Sequence, residues 1–212
     1  MKKSALAWAA LGALWFGGVA AGLGWLASYA NRPGAAGRAP ATWPEASAIP
    51  REPGRPTLLL FVHPRCSCSR ASVAELAELL ARAAERPATR VLFLRPDGVA
   101  PGWEQSELWS DAQRLPAASV LRDDGGAEAK RFGALTSGQA LLYGADGRLL
   151  FAGGLTASRG HPGESVGRVS LLALLDHAAP PVTATPVFGC ELFGRGDEGR
   201  PDADRDSCCD AK

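Results

Sequence analysis

Two cysteines, Cys66 and Cys68, stand one serine apart in the stretch FVHPRCSCSRASVAEL, residues 61–76. An apolar run stops just before them, and a helical pattern starts at Ser69. The thiolate, not the thiol, attacks disulfides and binds soft metals. A helix start carries partial positive charge and free N–H groups that favour an anion. Arg65 and Arg70 add full charges nearby. Together these groups predict a lowered pKa at Cys66. A disulfide between positions two apart closes a small, strained ring, and strained disulfides are more easily reduced. The spacing therefore suits thiol–disulfide exchange first and metal binding second.

The chain holds five cysteines, so at least one thiol is free, metal-bound or paired with another chain. Cys190, in TPVFGCELF, is flanked by apolar residues. That segment can pack back on the domain and bring a third thiol to the site. Cys208 and Cys209 are neighbours in an acidic tail, where the trans peptide disfavours a bond between them. A pairing of either with Cys190, a weak metal site and no role at all stand as alternatives. The histidines are His63, His161 and His177. His161 lies in a glycine-rich loop, SRGHPGES, and Cys66, Cys68 and His161 form an alternative copper site, because thiolates with imidazole suit copper. His177 reads as a surface or capping residue. Otherwise no cofactor is expected. A net charge of +1 gives no nucleic-acid footprint.

The elements that must position these groups follow from the apolar pattern. TLLLFV, residues 57–62, is a continuous apolar run, as in a strand buried on both faces. SRASVAELAELLARAAER reads as a helix with Val73, Leu76, Ala77 and Leu80 on one stripe and a Glu78–Arg82 pair on the other side. RVLFLRP, residues 90–96, is a second buried strand, so β-α-β with a right-handed crossover is expected. A helix is expected over 103–115, a third short strand in ASVLRDD and a short helix in GGAEAKRFGAL. ALLYGADGRLLFAGG reads as a hairpin turning at Asp146-Gly147. Residues 165–178 form the closing amphipathic helix. The domain thus spans 57–178, with an irregular, cysteine-containing tail over 179–212.

Ahead of it, residues 31–56 hold six prolines and three glycines and read as a semi-extended linker without a core. Trp43 within it reads as an incidental exposed aromatic. Residues 1–30 begin with Lys2 and Lys3 and are uncharged from Ser4 to Ala30. That run exceeds the ~20 residues that span a bilayer core and exceeds a signal-peptide h-region. It is expected to be an uncleaved single-pass anchor in the inner (cytoplasmic) membrane. The lysines favour a cytoplasmic N-terminus, which places the remainder in the periplasm or outside the cell, where thiols meet an oxidising compartment.

The order strand, cysteines, helix, strand, then late hairpin and last helix resembles the thioredoxin fold, from about Thr57 to Ala178. The resemblance implies an α/β sandwich, a central mixed sheet with flanking helices, preceded here by one transmembrane helix. It makes Cys66 the nucleophile and puts Ser69 where the usual second cysteine stands, with Cys68 one place early. That spacing leaves open whether Cys68 or another cysteine resolves a mixed disulfide; Cys68 is the expected resolving thiol, so the catalytic pair is expected to be Cys66 and Cys68 in a Cys-Ser-Cys site, with Cys190 in support. Arg65 takes the place of the family's tryptophan, Leu60 that of its buried acid, and a position near Gly138 that of its cis-proline. VLRDDGGAEAKRFGAL and the hairpin look like the membrane-anchored, TlpA-type branch. HPRCSCSRAS, SGQALLYGADGRLLFAGGLTASRGHPG and PVFGC together look like the bacterial proteins labelled RedB. These resemblances imply a thiol–disulfide oxidoreductase with other exported thiol or disulfide proteins as partners. The paired cysteines are also similar to those of the Sco copper chaperones, which implies copper binding as the alternative. Peroxidase chemistry is not expected, since His63 occupies the place of the peroxiredoxin threonine or serine.

Overall fold

A computed structural model describes residues 2–35 and 37–194. Cys208 and Cys209 lie outside the described residues. The chain divides into two units, residues 1–32 and 33–212. The first is one helix, α1 (Lys2–Ala30), of 29 residues. At 1.5 Å per residue it is about 44 Å long, more than the ~30 Å of a bilayer's hydrocarbon core. Its stretch Leu6–Ala30 is long and apolar enough to cross a membrane, a test that a signal sequence also passes.

In the second unit the central strand is β1 (Thr57–Val62), followed by α2 (Ser67–Arg82), β2 (Ala88–Arg95), α3 (Glu107–Gln113), β3 (Ala118–Asp124), α4 (Ala127–Arg131), β4 (Gln139–Tyr143), β5 (Leu149–Gly154) and α5 (Val166–Leu175). The sheet order is β3-β2-β1-β4-β5. β1, β2 and β3 are parallel, and β4 and β5 run antiparallel to their neighbours. Every residue of β1 is buried because both of its faces are covered. Leu58, Leu60 and Val62 meet Leu76, Leu79 and Leu80 of α2 and Leu171 and Leu175 of α5 in one cluster. Leu59 and Phe61 point the other way, to Phe132, Tyr143, Ile49 and Leu192. Alternation along one strand thus builds two cores.

Strand β2 starts at Ala88, two residues before its expected start, and two helices beside the site also start elsewhere than the sequence predicts. α2 begins at Ser67, so Cys66 is its cap residue and Cys68 falls in its first turn. α3 begins only at Glu107, because Gly102 takes a left-handed turn and the Ser106 hydroxyl caps the helix by accepting from Trp109 N.

The proline-rich segment expected to be a linker is a strap on the sheet. Trp43 lies edge-on to Phe132 and Tyr143, with ring centroids 4.9 and 5.2 Å away. Trp43 N donates to Gly147 O and Leu149 N donates to Ala41 O. Tyr143 Oη donates to Pro40 O, and Ile49 is buried in the second core. Prolines deny this segment regular structure but not packing, and its aromatic and aliphatic side chains fill the face that β1 leaves open. The described part of the tail behaves likewise: Ala152 N donates to Thr183 O, and Gly34 N donates to Val187 O.

Trp43→Ala removes a half-buried indole from this face and should cost about 2–3 kcal/mol, below the 3–5 of a fully buried one. Chemical unfolding of the full chain followed by circular dichroism measures it. A tether free of the sheet would leave the midpoint unmoved.

Candidate functional site

β1 ends at Val62, and the turn His63-Pro64-Arg65 closes when Cys66 N donates to His63 O at 3.1 Å. Ser69 N then donates to Cys66 O at 3.1 Å, which begins α2. Cys66 therefore sits where a serine or aspartate usually caps, at the positive end of a 16-residue helix. It is buried, with 2% of its surface exposed. Cys68 is half-buried, and so is Cys190.

The tail brings Cys190 to this point. Ser137 N donates to Cys190 O at 2.8 Å and Leu192 N donates to Leu135 O at 2.9 Å, with Thr136 and Glu191 paired antiparallel. The Arg159 guanidinium donates to Gly189 O. Residue 189 must be glycine for this approach, since a Cβ there would stand 1.9 Å from Ser137 O. The result is a Cys66 Sγ to Cys190 Sγ distance of 3.1 Å. The sulfurs of Cys66, Cys68 and Cys190 all lie within 4.8 Å of one another.

Ser137 and Ser69 fix the opposite side. The Ser137 hydroxyl accepts from His63 N at 2.7 Å and is hydrogen-bonded to the Ser69 hydroxyl at 2.6 Å. Gly138, the position expected for a proline, has φ +92°, and its N donates to Phe61 O. A Cβ on Gly138 would come within 2.7 Å of Ser72 Oγ. Glu75, buried on α2, pairs with Arg168 at 2.8 Å and accepts from Gly163 N, which ties the loop carrying Arg159 to the helix.

The charge on the sulfurs follows from these contacts. Hydrogen bonds from Cys190, then Cys68, hold the Cys66 thiol far below its ordinary range, with Ser69 adding to them against the opposing effect of burial. The Cys190 thiol is shifted the other way, its pKa raised by its bonds to Cys66 and Cys68 and by burial. At Cys68 the Cys190 bond lowers the pKa, but the Cys66 bond, burial and the Cys66 charge outweigh it and leave the pKa raised. Burial also lowers the His63 pKa, against the pull of Cys66.

Several predicted residues hold other places. Arg70 pairs with Glu107 at 3.3 Å and Asp111 at 4.0 Å, so carboxylates meet its charge. Arg65 lies over the Trp103 ring, 4.7 Å from the centroid, and His63 meets the same ring edge-on. His161 is exposed, with Nδ1 2.6 Å from Arg159 O, and it is not part of the sulfur cluster. The third group of that cluster is Cys190. Ser137, Arg159 and Trp103 are site residues that the sequence did not single out. The only hint was that Arg159 shares a loop with His161.

No protein-family model matches this chain, and no curated protein does either. Among solved structures, it is similar to an uncharacterized conserved protein from Geobacillus kaustophilus, with a TM-score of 0.56 and 17% identity over 78% of this chain and 93% of that one. The fold is thioredoxin-like. Weaker similarity extends to the pneumococcal exposed lipoprotein thioredoxin of Streptococcus pneumoniae, with a TM-score of 0.43 and 18% identity over 58% of this chain and 85% of that one. The reduced N-terminal domain of PilB from N. meningitidis follows at 0.37 and 19% identity, over 59% and 82%.

Gly189→Ala should lift the tail and leave the sheet folded. Cys190 should then be alkylated by iodoacetamide at least about tenfold faster, the change expected for about 1.4 kcal/mol of lost docking. An unchanged rate would mean that this close approach does not hold Cys190 in place.

Proposed function

We propose that the chain is a membrane-anchored thiol–disulfide oxidoreductase that works outside the cytoplasm on exported proteins. The observation that carries this reading is the 3.1 Å approach of the Cys190 thiol to Cys66 at the start of α2. The Cys66 thiolate attacks a partner disulfide, forms a mixed disulfide and releases one partner thiolate. Cys190 then loses its proton and attacks Cys66 Sγ. The Cys66–Cys190 disulfide forms, and the second partner thiolate leaves. Two electrons pass to the partner, and a dithiol of another exported protein returns them. Cys68 is the second candidate for the resolving step, and Ser69 and Ser137 position the backbone around Cys66.

The anchor rests on α1, where Trp8, Trp15, Phe16, Leu23 and Trp25 are all more than 60% exposed. So much apolar surface is unfavourable in water and fits lipid. Lys2 and Lys3 put the N-terminus in the cytoplasm and the thiols on the other side of the inner membrane. The resemblance of VLRDDGGAEAKRFGAL and the hairpin to the TlpA-type branch, and of HPRCSCSRAS, SGQALLYGADGRLLFAGGLTASRGHPG and PVFGC to the RedB-labelled proteins, supports this reading.

Cys66→Ser should abolish reduction of insulin disulfides. Cys190→Ser should trap partner proteins on Cys66 as mixed disulfides visible on non-reducing gels. Trapping by Cys68→Ser alone would transfer the resolving role to Cys68, and full activity of Cys66→Ser would remove the proposal.

For the anchor, the full chain should stay in the membrane fraction after a high-salt wash. A mature N-terminus at Asn31 would defeat anchoring while leaving export intact.

A further inference from the structure

We propose that the reduced cluster Cys66, Cys68 and Cys190 is a Cu(I) site in which three thiolates hold one ion. The argument is independent of catalysis and rests on the geometry and chemistry of the donors. Thiolates sit about 2.3 Å from a soft metal, so three of them around one ion stand about 4 Å apart. The three sulfurs here lie within 4.8 Å of one another, with one pair at 3.1 Å. Opening that pair by about 1 Å, within the reach of a side-chain torsion, gives the trigonal arrangement.

An all-sulfur donor set selects Cu(I), Zn(II) or iron–sulfur clusters. Structural zinc and iron–sulfur clusters take four protein ligands. Among the described residues no histidine, cysteine or carboxylate adds a fourth to this cluster. His63 Nδ1 accepts from Arg65 N, and His161 turns its Nδ1 to Arg159 O. Three soft donors without a fourth fit a three-coordinate monovalent ion.

The ligands are also held. Cys66 and Cys68 ride on the first turn of α2, and Cys190 is fixed through Ser137 N and, next door, through Arg159 at Gly189 O. Such outer contacts orient metal ligands. Binding sends the thiol protons of the cluster to solvent, and the Arg159 charge and the helix start offset the negative charge that results. A Cys66–Cys190 disulfide ties up two of the three donors, so only the reduced protein binds.

The test uses the full chain in detergent micelles, reduced and without oxygen, titrated with Cu(I) against a competing Cu(I) chelator. Cys208→Ser/Cys209→Ser serves as the background, so that those thiols contribute nothing. One Cu(I) per chain is expected. Cys68→Ser and Cys190→Ser should each weaken it more than tenfold, and His161→Ala should leave it unchanged. Oxidation of the pair should abolish it. Undiminished binding by Cys190→Ser, dependence on His161, preference for Zn(II), or no binding at all would overturn the proposal. Mixed-disulfide trapping that persists without Cu(I) binding would leave the exchange reading standing alone.

Discussion

A sulfur that is 2% exposed can carry a negative charge only where hydrogen bonds meet it, because burying an uncompensated charge is prohibitive. Cys66 is such a sulfur, and it stands at the start of α2. Its remaining partners come from a cysteine two residues later and from one 124 residues away. The architecture around it is arranged to deliver that distant thiol. Residues 135–137 offer a short edge, the tail pairs with that edge, and Gly189 allows the backbones to touch.

The same contacts couple the two ends of the folded unit. The strap ahead of β1 and the tail after α5 both lie on the sheet face that carries Phe61, Phe132 and Tyr143. They meet where Gly34 N donates to Val187 O. A Cβ on Gly37 would stand 1.9 Å from Gly133 O, so the strap also lies tight against the turn after α4. The placement of Cys190 is therefore tied to packing on the face opposite α2 and α5.

Much of the frame was legible in the sequence. Strand β1 has the predicted limits because its apolar run is continuous and bounded by Pro56 and His63-Pro64. The hairpin turns at Gly147, with φ +83°, as the Asp-Gly signal requires. What escaped was packing at long range. Proline and glycine content says that residues 31–56 lack regular structure, but it does not say where Trp43 and Ile49 go. Ser137 carries no local signal, since its partners are 68 and 74 residues away. Arg70 stands beside the cysteines in sequence but is turned to Glu107 on α3, two elements later in the chain. Neighbours in sequence misled for charge, while Cys190 could be placed only as a thiol free to pack back.

The central claim is that Cys66 and Cys190 form the working pair. The most direct measurement is peptide mapping by mass spectrometry of the full chain after mild oxidation by a small-molecule disulfide. The account predicts a peptide carrying Cys66 joined to one carrying Cys190, with Cys68 still a thiol. A Cys66–Cys68 bond, or Cys66 joined to Cys208 or Cys209, would contradict it.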